Sequence, residues 1–131
     1  MKNIDSFEEQ FRTFTQELYR HVERMGKEIL KALYWNNLTG DDQVVNNPKR
    51  PVYTRIGRIV QHGLQTGELS TRHSAEYYTE HFIIALLGID YYWCSMPGNV
   101  DLLKISSREF EALLHNFRQE KLTEDNSAFA G

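Results

Sequence analysis

The amino-acid sequence predicts an all-α fold, a bundle of about four to five helices. Apolar residues recur at steps of three and four along several segments, which is the spacing of one face of an α-helix. Clusters of turn-forming residues separate these segments. The 131 residues, 40% of them hydrophobic and 25% charged, suit one globular domain. We expect that domain over residues 1–122 and a disordered tail over residues 123–131.

The first segment carries the clearest helical pattern. Its apolar stripe runs through Ile4, Phe7, Phe11, Phe14, Leu18, Val22, Met25, Ile29 and Leu33. Asp5 or Ser6 can accept hydrogen bonds from the amides of the first turn, and Glu9 completes a capping box with Ser6. Gly26 costs about 1 kcal/mol relative to alanine inside a helix, so we expect a bend or a break there.

Turn-forming residues mark the end of this first helical region. Residues 36–51 include two of the three prolines and show no sustained periodicity, which predicts a loop. A helical stripe then resumes from Val52 to Leu64. Gly67 follows it at the position where a left-handed residue commonly ends a helix.

The next helix is apolar on nearly every side. Ser74 can cap its first turn, and the apolar region extends over residues 77–96 until Pro97 and Gly98 end it. A helix with this composition must be covered from two directions. Either Asp101 or Ser106 begins the last helix.

Charge and cysteine content restrict the setting of the protein. The formal charge of −3 gives no overall attraction to phosphate, so DNA contact by this chain alone is disfavoured. Cys94 is the only cysteine and cannot form an internal disulfide, which fits a reducing, cytoplasmic setting. The longest apolar stretch, residues 82–89, is stopped by Asp90 and is far shorter than the roughly 20 residues of a membrane span. The first residues also lack the apolar core of a signal peptide.

Two motifs in sequence order carry a resemblance to a known family. The run from Ile56 to Leu69 resembles the helix and turn of the C-terminal domain of TetR-family transcriptional regulators, in which an amphipathic helix ends in a Gly-Glu-Leu turn. The next helix of that family carries an apolar run, then a glycine and often a tryptophan. Residues 82–87, Gly88 and Trp93 match this order. The resemblance extends over residues 5–122.

The resemblance implies a homodimer and a ligand. In the family, the last two helices pair with the same two helices of a second subunit as a four-helix bundle. A small, mostly apolar effector binds between the first helices and the helix that here follows Ser74, and it changes the spacing of two DNA-reading heads. Nothing before Asp5 can supply the helix-turn-helix of the family. DNA binding is therefore expected only through an absent N-terminal domain, whether the chain is an excised piece or a naturally short protein.

Two sets of candidate residues follow. Tyrosine, tryptophan and histidine offer flat surfaces with a polar tip, as in sites for apolar ligands. The candidate ligand-binding residues are Tyr19, Trp35, Tyr53, His62, Tyr78 and His81. An apolar helix that one small subunit cannot cover favours a dimer interface. The candidate interface residues are Phe82, Leu86, Ile89, Trp93, Phe110, Leu113, Leu114 and Phe117. Ordinary packing in the core is the alternative for each.

No pattern typical of a metal site or an enzyme stands out. The histidines form no pair at helical spacing, and no Glu-x-x-His element occurs. Cys94 lies in an apolar segment one turn after Asp90, without an adjacent lysine or arginine, so we expect a raised pKa rather than a nucleophile. The sequence therefore predicts no enzyme activity, no metal and no cofactor.

These observations support three hypotheses of function. The first is a homodimeric effector-binding domain, in which a ligand shifts the populations of two arrangements and Gly26 is the moving element. The second is a stand-alone helical dimerisation or interaction module without a ligand, whose interior would be filled by aromatic residues. The third is a small helical enzyme, which would bring titratable groups together in a cleft.

Overall fold

The chain forms a bundle of five helices over the residues that the structure describes. This computed structural model describes residues 6–40 and 49–130, with side chains through residue 127. The helices are α1 (Phe7–Met25), α2 (Lys27–Thr39), α3 (Pro51–Thr66), α4 (Ala75–Ser95) and α5 (Leu102–Ala130). No strand occurs in these ranges. The predicted all-α class is confirmed.

Helix α1 begins where the capping pattern predicts. The Ser6 hydroxyl accepts a 3.1 Å hydrogen bond from the Glu9 amide. Asp5, the alternative cap, and Ile4 lie outside the described residues. The buried side chains of this helix are Phe7, Phe11, Phe14, Thr15, Tyr19 and Val22. The first part of the predicted stripe therefore faces the core, although Leu18 is only half-buried.

Gly26 separates two helices, as its position predicts. Its backbone has φ +95° and ψ 158°, a conformation that residues with a Cβ atom rarely adopt. The Gly26 amide donates to the Val22 carbonyl at 3.0 Å, and its carbonyl accepts from the Leu30 amide at 3.2 Å. The break turns α2 relative to α1, so Leu30 is buried while Ile29, which continues the predicted stripe, is 53% exposed.

The predicted loop over residues 36–51 is shorter than expected at both ends. Helix α2 continues to Thr39 because no helix-breaking residue precedes Gly40. Pro51 is the first residue of α3, where its fixed φ suits a helix and its missing amide hydrogen costs nothing. Residues 41–48 lie outside the described residues.

The turn after α3 holds the start of α1 in place. Gly67 ends α3 in the predicted left-handed conformation, with φ +83° and ψ 8°. The Glu68 carboxylate then accepts a 2.9 Å hydrogen bond from the Phe7 amide. A carboxylate at this end of α1 also interacts favourably with the helix dipole. Leu69 follows and is completely buried.

Helix α4 lies at the centre of the bundle. It packs against α3 and α2 on one side and α5 on another, while α1 packs against α3 and α5. Its buried residues are Tyr78, Phe82, Ile83, Leu86, Ile89, Asp90 and Trp93. Cover from two directions, which the sequence predicts, is thus supplied largely by the chain itself. Ile84, Tyr91 and Tyr92 still face outward, with 61%, 71% and 45% of their surface exposed.

Helix α5 is longer than the sequence predicts. The Asp101 carboxylate accepts a 3.2 Å hydrogen bond from the Lys104 amide, so α5 starts at the first of the two predicted positions. The helix runs on to Ala130, through residues for which the composition predicts a disordered tail. Lys121 pairs with Asp125 at 3.1 Å, and Glu124 accepts a hydrogen bond from Ser70. These contacts support the last turns of α5.

None of the described helices combines the length and the apolar character that a membrane crossing requires.

Candidate ligand-binding cavity

An apolar cavity lies between α1, α2, α3 and α4. Its volume is about 320 Å³, at the lower end of the range of small-molecule pockets, about 300–1,000 Å³. Each helix contributes apolar side chains to its wall. These include Val22 of α1, Leu30 and Leu33 of α2, Val52 of α3 and Leu86 of α4. The break at Gly26 makes this cavity possible, because it lets α2 fold back against α4.

Asp90 of α4 places a carboxyl group in this apolar wall. The residue is only 5% exposed. Its Oδ2 accepts a 2.6 Å hydrogen bond from the Tyr34 hydroxyl. Its Oδ1 has no hydrogen-bond partner among the described residues. Since more than about 90% of buried polar groups are paired, an unpaired carboxylate oxygen in a cavity wall indicates a place for a donor.

The surroundings of Asp90 change its acidity. Burial raises the pKa of Asp90 to about 6, because the apolar wall disfavours the charged form. Three groups oppose this effect: the Tyr34 hydroxyl, the Tyr19 hydroxyl and, last, the positive charge of Arg50. The carboxyl group is therefore mostly ionised at pH 7.5 and mostly neutral at pH 5.

Two tyrosines on the first two helices adjoin the carboxyl group. Burial and the charge of Asp90 raise the pKa of Tyr34 and of Tyr19, so both hydroxyls stay protonated near neutral pH. Tyr19 is completely buried, and its hydroxyl lies 3.5 Å from the Leu86 carbonyl oxygen. Both hydroxyl groups can therefore donate a hydrogen bond near Asp90.

The structure brings together only part of the predicted ligand-binding set. Tyr53 lines the cavity, and Tyr19 adjoins it through Asp90. Tyr78 is completely buried and donates a 2.6 Å hydrogen bond to the Ser70 carbonyl, which makes it a core residue. Tyr78 is therefore not part of the wall of this cavity.

Three further predicted ligand residues lie elsewhere. Trp35 is 67% exposed on the outer side of α2. His62 is half-buried on α3 and is not part of the cavity wall. His81 is exposed on α4, where its ring meets Tyr77 edge-on at 4.6 Å. Helical periodicity places each of these side chains on a face that points away from the cavity.

Sequence reasoning did not identify Asp90 and Tyr34 as the polar centre of the site. In the sequence, Asp90 stands out only as the residue that ends an apolar stretch and precedes Cys94 by one turn, and Tyr34 does not differ from the other aromatic residues of the chain. A charged residue inside an otherwise apolar helix is the signal that could have found the site. Its partner, 56 positions away, has no sequence signature.

The structure places most of the predicted dimer-interface residues inside the chain itself. Seven of the eight candidates are buried in the core of this chain. They are Phe82, Leu86, Ile89, Trp93, Phe110, Leu114 and Phe117. These side chains pack against α1 and against each other; the ring centres of Phe82 and Phe11, for example, lie 4.1 Å apart. Only Leu113 is half-exposed, because the largest apolar side chains of α4 and α5 point inward.

A different face of α4 and α5 is open. We call it the α4–α5 groove, an open depression of about 620 Å³. Ile84, Gly88 and Tyr92 line it from α4, and Ala112 and Leu113 line it from α5. A Cβ atom added at Gly88 would meet no atom within 4 Å, so the floor of the groove is wide at this point.

A smaller apolar patch lies between α2 and α4. Trp35, Leu38 and Tyr91 are exposed there, and Cys94 lies between them. The pKa of the Cys94 thiol is raised by burial and by the charge of Asp90, as the sequence predicts. The thiol is therefore protonated near neutral pH.

His73 contacts both an aromatic and an acidic side chain. His73 stacks on Tyr77 at 3.9 Å, and its Nε2 lies 3.1 Å from Glu120. Over residues 6–40 and 49–127, no group of three or more histidine, cysteine, aspartate or glutamate side chains is placed to hold a metal ion.

Comparisons of the chain with protein-family models, with curated proteins and with solved structures found no match. The likeness to TetR-family regulators therefore depends on the ordered sequence motifs, namely the turn at residues 67–69 and the apolar run that leads to Gly88 and Trp93.

Proposed function

We propose that this chain is the ligand-sensing and homodimerisation domain of a TetR-like transcriptional regulator. Its ligand is a small, mostly apolar molecule that binds in the cavity beside Asp90. The observation that carries this proposal is the apolar cavity with a buried carboxyl group, one oxygen of which has no donor among the described residues. A ligand that supplies the donor gains a strong hydrogen bond, because a buried unpaired oxygen is costly to the free protein.

The walls of the cavity suit a sensing role. They belong to α1 and α2 on either side of Gly26 as well as to α3 and α4. A ligand that contacts both α1 and α2 favours one arrangement of these helices over another, and the population shifts by the difference in affinity. DNA binding would require a further domain joined to this one. The single thiol of Cys94 fits a cytoplasmic setting.

Dimerisation is proposed at the α4–α5 groove. Apolar Ile84, Tyr92 and Leu113 supply the contact area, and the small residue Gly88 permits close approach of a second helix pair. Arg108 and Glu109 lie at the same groove and form an ion pair with each other at 2.9 Å. An isologous interface would place this pair opposite the same residues of a second copy.

The alternative is a stand-alone helical dimerisation module without a ligand. The same groove favours it, together with the apolar patch around Trp35 and Tyr91. The two proposals differ at the cavity, since a dimerisation module has no need of the site beside Asp90.

An enzyme is not proposed, although Asp90 and Tyr34 do converge at one cavity. The raised pKa of Tyr34 keeps that hydroxyl protonated, and among the described residues Asp90 is the only one that brings a carboxyl group to the cavity wall. A binding role needs only this one acceptor, whereas acid–base catalysis needs groups in matched roles around a reacting atom.

Two measurements test the proposal. Thermal-shift screening of small apolar molecules should find compounds that stabilise the wild-type chain, because binding to the folded state raises its stability. Leu33→Phe fills the cavity and should abolish this stabilisation, whereas Leu64→Phe, at a half-buried α3 position outside the wall, should preserve it. Light scattering should give the mass of a dimer. A dimer whose stability responds to no compound, or responds equally in both variants, would favour the alternative module.

A further inference from the structure

We propose that the cavity selects ligands that carry a protonated amine on an apolar skeleton, with Asp90 as the counter-ion. This inference rests on the proposed function of the cavity as a ligand site and specifies the chemical class of the ligand.

The carboxyl group of Asp90 has one oxygen that accepts a hydrogen bond and one without a partner among the described residues. The Tyr34 hydroxyl occupies Oδ2 at 2.6 Å and fixes the orientation of the side chain. Oδ1 has no hydrogen-bond partner among the described residues, and the nearby Tyr19 hydroxyl lies 3.5 Å from the Leu86 carbonyl oxygen instead. A primary ammonium group offers three donors, and a hydrogen bond between opposite charges is roughly twice as strong as one between neutral groups.

The charges of Asp90 and Arg50 determine which ligand charge the cavity favours. At pH 7.5 Asp90 carries a negative charge, and only 5% of the surface of this residue is exposed to water. Arg50 also borders the cavity, and its charge affects Asp90 less than the two tyrosine hydroxyls do. A buried charge without a close counter-ion is unfavourable, so a cationic ligand gains more than a neutral donor of the same shape. An anionic ligand is repelled.

Most of the remaining cavity wall is apolar. Leucine and valine side chains from all four helices surround the space next to Asp90, among them Val22, Leu30 and Leu33. A volume of about 320 Å³ accommodates a compact hydrocarbon or phenylalkyl skeleton. The site therefore matches an amine at one end and an apolar group at the other.

The acidity of Asp90 adds a dependence on pH. The groups that face it are Tyr19 from α1, Tyr34 from α2 and Arg50 before α3, and Cys94 follows it by one turn of α4. His21 of α1 also borders the cavity. A cationic ligand binds the ionised carboxylate, so its affinity should fall as pH drops below about 6, by up to about tenfold for each pH unit.

The test uses three probes with the same skeleton and different charge. These are 4-phenylbutylammonium, 4-phenylbutan-1-ol and 4-phenylbutanoate, and calorimetry measures their affinity for the wild-type chain and for Asp90→Asn. At pH 7.5 the ammonium probe should bind the wild type about 10 to 100 times more tightly than the alcohol. Asp90→Asn should remove that preference while leaving the affinity for the alcohol within about threefold. Far-UV circular dichroism checks that the variant folds.

A second measurement needs no variant. The affinity of the wild type for the ammonium probe should fall between pH 7.5 and pH 5, while that for the alcohol stays constant. If the alcohol and the ammonium probe bind equally at both pH values, or the anion binds best, the inference about charge is wrong and the ligand site itself stands. If none of the three probes binds and no apolar compound stabilises the chain, the proposed function fails together with the inference.

Discussion

The Tyr34 hydroxyl donates a 2.6 Å hydrogen bond to Oδ2 of Asp90 and thereby joins α2 to α4 across one wall of the cavity. Helix α2 packs only against α4 and α1 within the described residues. Its amphipathic character is weak, and Leu30 is its one fully buried residue. The contact between Tyr34 and Asp90 is therefore an important tertiary link for this helix.

Removal of the Tyr34 hydroxyl should destabilise the folded chain in a pH-dependent way. Tyr34→Phe leaves the buried carboxylate without its closest donor, which should cost about 1–3 kcal/mol in the free energy of unfolding at pH 8. The loss should be smaller at pH 4.5, where Asp90 is protonated. Urea unfolding at both pH values provides the measurement. Tyr91→Phe, an exposed tyrosine on α4, is the control and should have no effect; equal losses at both pH values would contradict the assigned partner.

Asp90 should make the folded chain less stable as pH rises from 4 to 7. Burial raises the pKa of Asp90 from 3.8 to about 6, so the folded chain holds this proton more tightly than the unfolded chain. The stability contributed by the protonated group is fully present below about pH 4, is lost as pH rises through 6, and stays constant above that. A change of this size corresponds to at most about 3 kcal/mol.

The comparison with Asp90→Asn isolates this effect from other groups. Glu8 and Glu124 have lowered pKa values, because of hydrogen bonds from Arg118 and Ser70 respectively, and change stability in the opposite direction. The wild type and Asp90→Asn share these groups, so the contributions of Glu8 and Glu124 cancel when the two free energies of unfolding are subtracted. The free energy of unfolding of the wild type minus that of Asp90→Asn should decrease between pH 4 and pH 7. A flat or rising difference would mean that Asp90 titrates normally.

The sequence predicts most of the local structure, because local signals determine helix ends. Ser6, Gly26 and Gly67 act within one or two turns of the chain, and the structure confirms the predicted role of each. The structure of residues 123–130, part of the predicted tail, depends instead on a contact with a distant residue. The last turns of α5 are supported by the hydrogen bond between Ser70 and Glu124. These residues lie 54 positions apart, and no local sequence pattern predicts that contact.

The site and the interface depend on which way each helix turns. Helix α4 is apolar on nearly every side, so periodicity alone does not tell which of its residues face α1 and which face outward. The residues that the sequence predicts for an interface therefore include Phe82, which is fully buried in the core, and leave out Ile84, which is 61% exposed. In the same way, the polar centre at Asp90 depends on Tyr34, whose placement follows from the break at Gly26.

Two glycines of α3 should respond in opposite ways to alanine. A Cβ atom at Gly63 would lie 2.9 Å from side-chain atoms of Phe7 and Leu69, whereas one at Gly57 would meet no atom within 4 Å. Gly63→Ala should lower the free energy of unfolding by about 1–3 kcal/mol through overpacking. Gly57→Ala should raise it by up to about 1 kcal/mol through helix propensity. Thermal and urea unfolding measure both; a stabilising Gly63→Ala would show that α1 and α3 do not approach this closely.

Gly26→Ala should destabilise the chain for a different reason. A Cβ atom would meet nothing within 4 Å, so packing does not oppose the substitution. The backbone at φ +95° and ψ 158° does oppose it, because this conformation costs side-chain-bearing residues about 1–3 kcal/mol. Urea unfolding should show this loss, with Gly57→Ala again as the control. An unchanged stability would indicate that α1 and α2 join in an ordinary helical conformation.

A large charged side chain in the α4–α5 groove should separate the proposed dimer. Gly88→Arg adds bulk and charge where the single chain has open space, so the fold should be kept. Light scattering should then give a monomer. Tyr91→Arg alters the patch on the other side of α4 and should leave the dimer intact. If Tyr91→Arg gives the monomer and Gly88→Arg the dimer, the interface lies at the patch around Trp35.

The binding of a small molecule in the cavity beside Asp90 is tested most directly by methyl NMR spectroscopy with 4-phenylbutylammonium. Titration should shift the methyl resonances of Leu30, Leu33 and Val52, which line the cavity, and leave those of Leu102 and Leu114, buried on α5, unchanged. Shifts confined to Ile84 and Leu113 of the α4–α5 groove, or no shifts with either the ammonium probe or 4-phenylbutan-1-ol at millimolar concentration, would contradict the account.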